Sequence, residues 1–322
     1  MNQKTKSESL ARVRTGIDGF DQITKGGLPD RRTTVLVGAP GTGKTIFALQ
    51  TLVNTARRGE PCIFVSFEEN KNRLVEDAAS CGWDLTDFQK QKLILLDARM
   101  QPGAVKVGHF DLMGMLAGLR AVATELGAKR IVFDSLDVLL TLLDDRMAEL
   151  QEIFRLRDWL SENGFTALIT ANLTTGDPSS THRYAMLQFI SDCTVALGFR
   201  QDPHSASRHL RVVKYRGAGF FERECSFTIG DGGINVALPV SGTESRPTAH
   251  SEFELARQDL SARVQALDRF LEIKQAELKF LREEQARGDG QAGSRRSKRA
   301  QTPVQLKARV EKEPPRPSHF AG

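Results

Sequence analysis

Eight consecutive residues, Gly38-Ala39-Pro40-Gly41-Thr42-Gly43-Lys44-Thr45, satisfy every fixed position of the pattern G-x-x-x-x-G-K-[ST]. The spacing suits a polyphosphate. At Gly38, Gly41 and Gly43 no Cβ obstructs a backbone that turns its N–H groups inward around phosphate oxygens. A helix beginning at Lys44 adds unpaired N–H donors and the positive end of its dipole. Lys44 supplies a point charge near the β- and γ-phosphates, and the Thr45 hydroxyl suits Mg²⁺. The candidate phosphate-binding residues are thus Gly38, Gly41, Thr42, Gly43, Lys44 and Thr45, and the spacing predicts a nucleoside-triphosphate site.

Beside the Thr45 hydroxyl, such a site needs a carboxylate to hold Mg²⁺ through water. Arg130-Ile131-Val132-Phe133-Asp134 places one at the end of an apolar strand, with Ser135 beside it to orient that acid or a water. Phe67-Glu68-Glu69 ends the strand that follows the loop helix. Ligands of parallel α/β sheets gather at such strand ends, where a carboxylate can polarise a water for in-line attack; a solvated acidic turn is the alternative. Thr170 ends a further strand, where its hydroxyl either senses the terminal phosphate or is an ordinary β-branched strand residue. Lys214-Tyr215-Arg216-Gly217 closes an edge strand. Its cations either guard that edge against aggregation or reach a neighbouring subunit's nucleotide.

The elements that must position these groups alternate. Strands are predicted at Thr33–Val37, Cys62–Phe67, Leu93–Leu96, Arg130–Phe133, Thr166–Thr170 and Thr194–Phe199, with helices near Ile46–Arg58, Arg73–Cys81, Leu112–Leu126 and Arg146–Glu162. Continuous apolar strands separated by helices imply a parallel sheet covered on both faces. After Phe199 the pattern changes to shorter antiparallel strands at His209–Tyr215, Glu222–Ile229 and Gly233–Ala237. The fold expected is α/β, a mainly parallel sheet finished by an antiparallel edge hairpin. Residues 1–12 read as a flexible start, 13–238 as the folded domain and 239–250 as a Gly/Ser/Thr/Pro linker. Over 251–287, Ser251-x-x-Glu254 reads as a capping box opening a long helix. Its apolar residues step by three and four, fitting either a short coiled-coil seam or a single amphipathic helix lying on its own domain. Residues 288–322 read as a basic disordered tail.

Composition narrows the function classes. The net charge of +5 is uneven: from Arg287 onward nine Lys/Arg stand against three acids, a net of +6, which leaves −1 on everything before it. A near-neutral body without an aromatic–basic loop counts against a DNA-dependent motor; only the tail offers weak contact with nucleic acid. The four cysteines, Cys62, Cys81, Cys193 and Cys225, form no CxxC pair, which argues against a disulfide framework or a zinc knuckle. No apolar run is long enough to cross a bilayer and no signal peptide opens the sequence, so cytoplasmic residence is expected.

Thr15-Gly16-Ile17-Asp18-Gly19-Phe20-Asp21, Gly26-Gly27-Leu28-Pro29, the phosphate loop, Phe67-Glu68-Glu69, Gly82-Trp83-Asp84-Leu85, Phe133-Asp134-Ser135 and Lys214-Tyr215-Arg216-Gly217 together resemble the KaiC family of RecA-like P-loop ATPases. The resemblance runs from about Val13 to Ala237 and covers one module where the best-known members carry two. It implies a RecA-like fold, ATP with Mg²⁺, and a ring, usually a homo-hexamer, with nucleotide between subunits. It assigns phosphate and Mg²⁺ binding to Lys44 and Thr45 and the metal-linked acid to Asp134. Glu68 and Glu69 would be the paired catalytic glutamates, Lys214 and Arg216 the trans-acting cations. The implied output is a conformational change passed to a signalling partner, KaiB-like or other. A serine/threonine autokinase is the alternative activity within the family. Two departures bear on that. Gln188-Phe189 stand where the family's phosphorylated module has an adjacent Ser-Thr pair, so autophosphorylation there is not expected. Thr170-Ala171-Asn172 replaces the Thr-Thr-Glu that often closes the corresponding strand.

Overall fold

The computed structural model describes residues 10–90, 92–99, 112–143, 146–174, 177–202 and 205–238. The expected linker, long helix and basic tail (239–322) lie outside the described residues, as does most of the expected flexible start.

The chain opens with β1 (Arg12–Val13), α1 (Phe20–Ile23) and β2 (Leu28–Pro29), where β1 and β2 pair antiparallel as a small separate sheet. β3 (Thr33–Gly38) leads into the phosphate loop and α2 (Lys44–Arg57) leaves it. Next come β4 (Cys62–Ser66), α3 (Lys71–Ser80), α4 (Leu85–Lys90), β5 (Leu93–Asp97), α5 (Leu112–Leu126), β6 (Arg130–Asp134), α6 (Leu136–Leu140), α7 (Arg146–Glu162), β7 (Thr166–Asn172) and α8 (Pro178–Ile190). The chain then runs through β8 (Cys193–Asp202), β9 (Ser205–Tyr215), β10 (Cys225–Gly230) and β11 (Gly233–Val236).

These strands build a nine-stranded sheet in the order β5-β4-β6-β7-β3-β8-β9-β10-β11. From β5 to β8 every pairing is parallel, and from β8 to β11 every pairing is antiparallel. All six residues of β3 are buried, as the centre of a sheet covered on both faces requires. β7 lies between β3 and β6, so the strand bearing Asp134 is two strands away from the one that enters the phosphate loop.

The sequence reading finds every strand of this sheet and misses four helices, α1 among them with only four residues. α4 and α6 have six and five residues, too few to show a helical period. α8 has its start signal in place: the Asp177 carboxylate accepts from the N–H groups of Ser179 and Ser180, with Pro178 in the first turn. The antiparallel strands β8 and β9 are longer than expected, at ten and eleven residues, because they pair with each other beyond the apolar core, out to Asp202 and Ser205. β10 begins at Cys225, three residues later than Glu222.

The edge hairpin does more than end the sheet. Gln50, buried on α2, donates from Nε2 to the carbonyls of Gly232 (3.3 Å) and Ile234 (3.1 Å) and accepts from the Ile234 N–H (2.7 Å). This ties the β10–β11 turn to the helix that leaves the phosphate loop. Gly233 makes the closeness possible. Its φ is +96°, and a Cβ there would lie 2.4 Å from the Trp83 ring and 2.6 Å from Gln50 Oε1. Gly233→Ala should therefore lower unfolding free energy by about 2 kcal/mol or more, since strain and overpacking add. Denaturant unfolding checks it; a loss under about 0.5 kcal/mol would show that the turn yields freely.

Candidate functional site

Gly38 ends β3, packed so closely on β8 that a Cβ would lie 2.5 Å from the Leu197 carbonyl oxygen. Gly41 and Gly43 take positive φ values of +76° and +102°. Around a Cβ placed on Gly41 there is open space, whereas a Cβ placed on Gly43 would lie 2.7 Å from Ile229 of β10. One side of the loop is thus open and the other is held by the edge hairpin. Thr42 is buried and braces the turn, its hydroxyl donating to the Ala39 carbonyl at 2.8 Å.

Lys44 is buried, and its Nζ donates to the Gly38 and Ala39 carbonyls at 2.9 and 3.0 Å. Burial pushes its pKa down, while Asp134, Asp137 and Glu68, in falling order, hold the proton on. Thr45 Oγ1 donates to Asp134 Oδ2 at 3.1 Å, and the Thr170 hydroxyl donates to Asp134 Oδ1. Burial raises the pKa of Asp134, and those two hydroxyls oppose it. The Asp134–Ser135 peptide is cis.

The glutamate pair is placed by Ser66, whose hydroxyl donates to the Glu69 carbonyl (2.7 Å) and accepts from the Glu69 N–H (3.1 Å). The Phe67 N–H donates to the Asp134 carbonyl at 2.7 Å, fastening this turn to the end of β6. Glu68 is exposed and Glu69 half-buried. Burial raises the pKa of Glu69, reinforced by Asp77 of α3 and then by Asp134.

Within one chain the structure therefore gathers Gly38, Gly41, Thr42, Gly43, Lys44, Thr45, Asp134, Glu68 and Glu69 at the carboxyl end of the parallel strands. Thr170 is there too, but its hydroxyl is engaged with Asp134 rather than free to meet a phosphate. Ser135 donates to Asp137 Oδ2 at 3.1 Å, so it orients that acid and not Asp134.

Lys214 and Arg216 lie elsewhere, and not on an edge strand as expected, because β10 returns to pair with β9 on the side away from β8. Lys214 pairs with Thr194, and Tyr215 with Cys193, which is level with Thr34 at the start of β3. Gly38 stands four residues further along β3, so ~13 Å of strand separates the two levels. Lys214 Nζ donates to the Gln188 and Ser191 carbonyls at the end of α8, both at 2.6 Å. Burial, then Arg216, push its pKa down to about 8, against Asp192, which favours the ammonium. Arg216 is exposed, with its backbone N–H on the Asp192 carbonyl.

The residues present fit a hydrated Mg²⁺. Among the described residues no three His, Cys, Asp or Glu side chains form a dedicated metal cage. A hydroxyl and one acid side by side are the hard-oxygen donors that Mg²⁺ shares with phosphate oxygens and water.

The family described as "ATPase: KaiC" matches residues 13–241. The chain belongs to the KaiC ATPase family. The circadian clock protein KaiC2 of Synechocystis sp. is 37% identical over 244 residues, 75% of this chain and 42% of that protein. The circadian clock oscillator protein KaiC of Synechococcus elongatus is 35% identical over 238 residues, 73% of this chain and 46% of that protein. This chain thus spans less than half the length of these two curated KaiC relatives. The crystal structure of a KaiC-like protein from the archaeon Pyrococcus horikoshii superposes with a TM-score of 0.63 at 30% identity, over 71% of this chain and all of that one. The module is a KaiC-type, RecA-like ATPase domain. Among the described residues no helix is long and apolar enough to cross a membrane.

Two structural features escape the sequence reading. Asp137 is buried beside the site and accepts from the Asn172 N–H as well as from Ser135. Glu149 of α7 and Arg183 of α8 form a double ion pair, at 2.9 and 3.2 Å, with side chains only 9% and 15% exposed. The pair fixes α8, whose last carbonyls hold Lys214. Removing one partner strands a buried charge, so Arg183→Ala and Glu149→Ala should each cost about 3 kcal/mol. The double variant should lose clearly less than the sum in denaturant unfolding; strict additivity would show that the pair is not coupled.

Proposed function

We propose that the chain is a Mg²⁺-dependent ATP hydrolase whose catalytic sites are completed between protomers of a homo-oligomeric ring, a hexamer by family resemblance. Turnover changes the ring's conformation, which a signalling protein reads. The carrying observation is the division of the site. The phosphate loop, Thr45, Asp134, Glu68 and Glu69 meet at one end of the sheet, while Lys214 and Arg216 stand at the other, on the antiparallel side. A cation that must reach developing negative charge, yet lies at the wrong end of its own sheet, is supplied by a neighbour.

In this reading the loop N–H groups and Lys44 hold the triphosphate, Lys44 exchanging the carbonyls of Gly38 and Ala39 for phosphate oxygens. Thr45, with Asp134 through water, would hold Mg²⁺, which when bound neutralises phosphate charge. Glu68 and Glu69 orient the attacking water and take up its proton. Arg216, and Lys214 once it leaves the α8 carbonyls, approach from the adjoining protomer.

The double variant Glu68→Gln/Glu69→Gln should keep ATP affinity and lose about 100-fold or more in kcat. Steady-state hydrolysis at the wild-type rate would rule out the glutamates as the water-positioning groups.

A further inference from the structure

Beside the phosphate loop, β6 and β7 part company. Their backbone ladder ends at Phe133↔Ile169. β6 stays paired with β4 out to Ser66↔Asp134, and β7 with β3 out to Gly38↔Asn172. No backbone pairing joins Asp134 to Asn172, and side chains link the two strand ends instead. The Thr170 hydroxyl bridges to Asp134 on the inner rung. On the outer rung Asp137 Oδ2 accepts from both the Asn172 N–H and the Ser135 hydroxyl. Asn172 borders the loop directly, because the next residue, Leu173, donates its N–H to the Gly38 carbonyl, which also accepts from Lys44.

Asp137 is an expensive residue for a simple brace. It is only 7% exposed, and its Oδ1 has no hydrogen-bond partner among the described residues. A buried carboxylate oxygen without a donor costs stability. The charges around it are Arg183 of α8 and Lys44 of α2.

We propose that Asp137 is a positioning residue of the phosphate site: by clamping Asn172 and Ser135 it sets the separation of the β6 and β7 ends, and with it the distance from Asp134 to the phosphate loop. This rests on the ATP-hydrolase reading above. Asp137 acts through its neighbours and takes no proton from the reaction; what matters is a fixed acceptor oxygen. The charge is dispensable and the geometry is not, since misplacing a phosphate-binding strand by a fraction of an ångström acts on the transition state more than on ground-state binding.

The test uses full-length protein, with ATP turnover, nucleotide affinity and thermal unfolding measured on each variant. Asp137→Ala removes the acceptor and should lower kcat at least ~10-fold with KM changed less than about threefold. Asp137→Leu, which fills the space without an acceptor, should do the same and serves if the alanine variant does not fold. Asp137→Asn keeps an acceptor oxygen and should restore kcat to within about threefold of wild type. Variants that unfold earlier yet turn over normally per folded site would reduce Asp137 to a brace. An Asn variant as slow as Ala would make the charge essential, and either outcome overturns the proposal. Wild-type protein that binds but does not hydrolyse ATP would instead overturn the hydrolase reading, and this inference with it.

Discussion

The site depends on one arrangement: the ends of β3, β7 and β6 must finish at the same level, so that a hydroxyl leaving the phosphate loop meets an acid two strands away. The Thr45–Asp134 hydrogen bond at 3.1 Å measures that coincidence. Register achieves it. Gly38 pairs with Asn172 across the β3–β7 ladder, and Phe133 with Ile169 across the next, so Asp134 emerges beside Thr170. A slip in either parallel ladder would turn the side-chain sequence over and move the acid out of reach.

The surrounding structure reads as support for that coincidence. From one side the antiparallel hairpin presses Ile229 against Gly43 and locks its turn to α2 through Gln50. On the other side Ser66 closes the glutamate turn, and the Phe67 N–H holds that turn to the end of β6. The electrostatics follow from the burial these contacts impose. Asp134 and Asp137 are raised by desolvation and Lys44 is lowered by it, so the site holds its acids and its cation in mutual dependence. A triphosphate bound here would meet a region already short of water, where such charges act most strongly.

What was legible in the sequence was local. Glycines with required spacing next to Lys44 and Thr45 specify the loop, because backbone freedom and charge must fall within eight residues. Buried strands such as Thr33–Gly38 announce themselves as continuous apolar runs. Acids at strand ends, Asp134, Glu68 and Glu69, follow from the same rule. Asp137 was hidden because a single acid in Leu136-Asp137-Val138-Leu139-Leu140 looks like the wet side of a helical turn, and only the long-range register with Asn172 reveals its burial. The Glu149–Arg183 pair was hidden likewise, with partners on helices 34 residues apart. α8 could have been found from Asp177-Pro178; its body lacks a clear apolar stripe. Lys214 and Arg216 were legible as cations, but that their strand is flanked by β8 and β10, and how far they stand from the loop, needed the sheet order and the β8–β9 register.

The most direct test of a divided site is complementation. Lys44→Ala spoils only the loop half and Arg216→Ala only the reaching half, so each protein alone should be nearly inactive. Mixed in equal amounts and allowed to exchange subunits, about a quarter of the interfaces in a random ring join two intact halves. The mixture should then recover about a quarter of wild-type ATP turnover. Mixed assemblies, verified by mass, that remain as inactive as their parents would contradict the account.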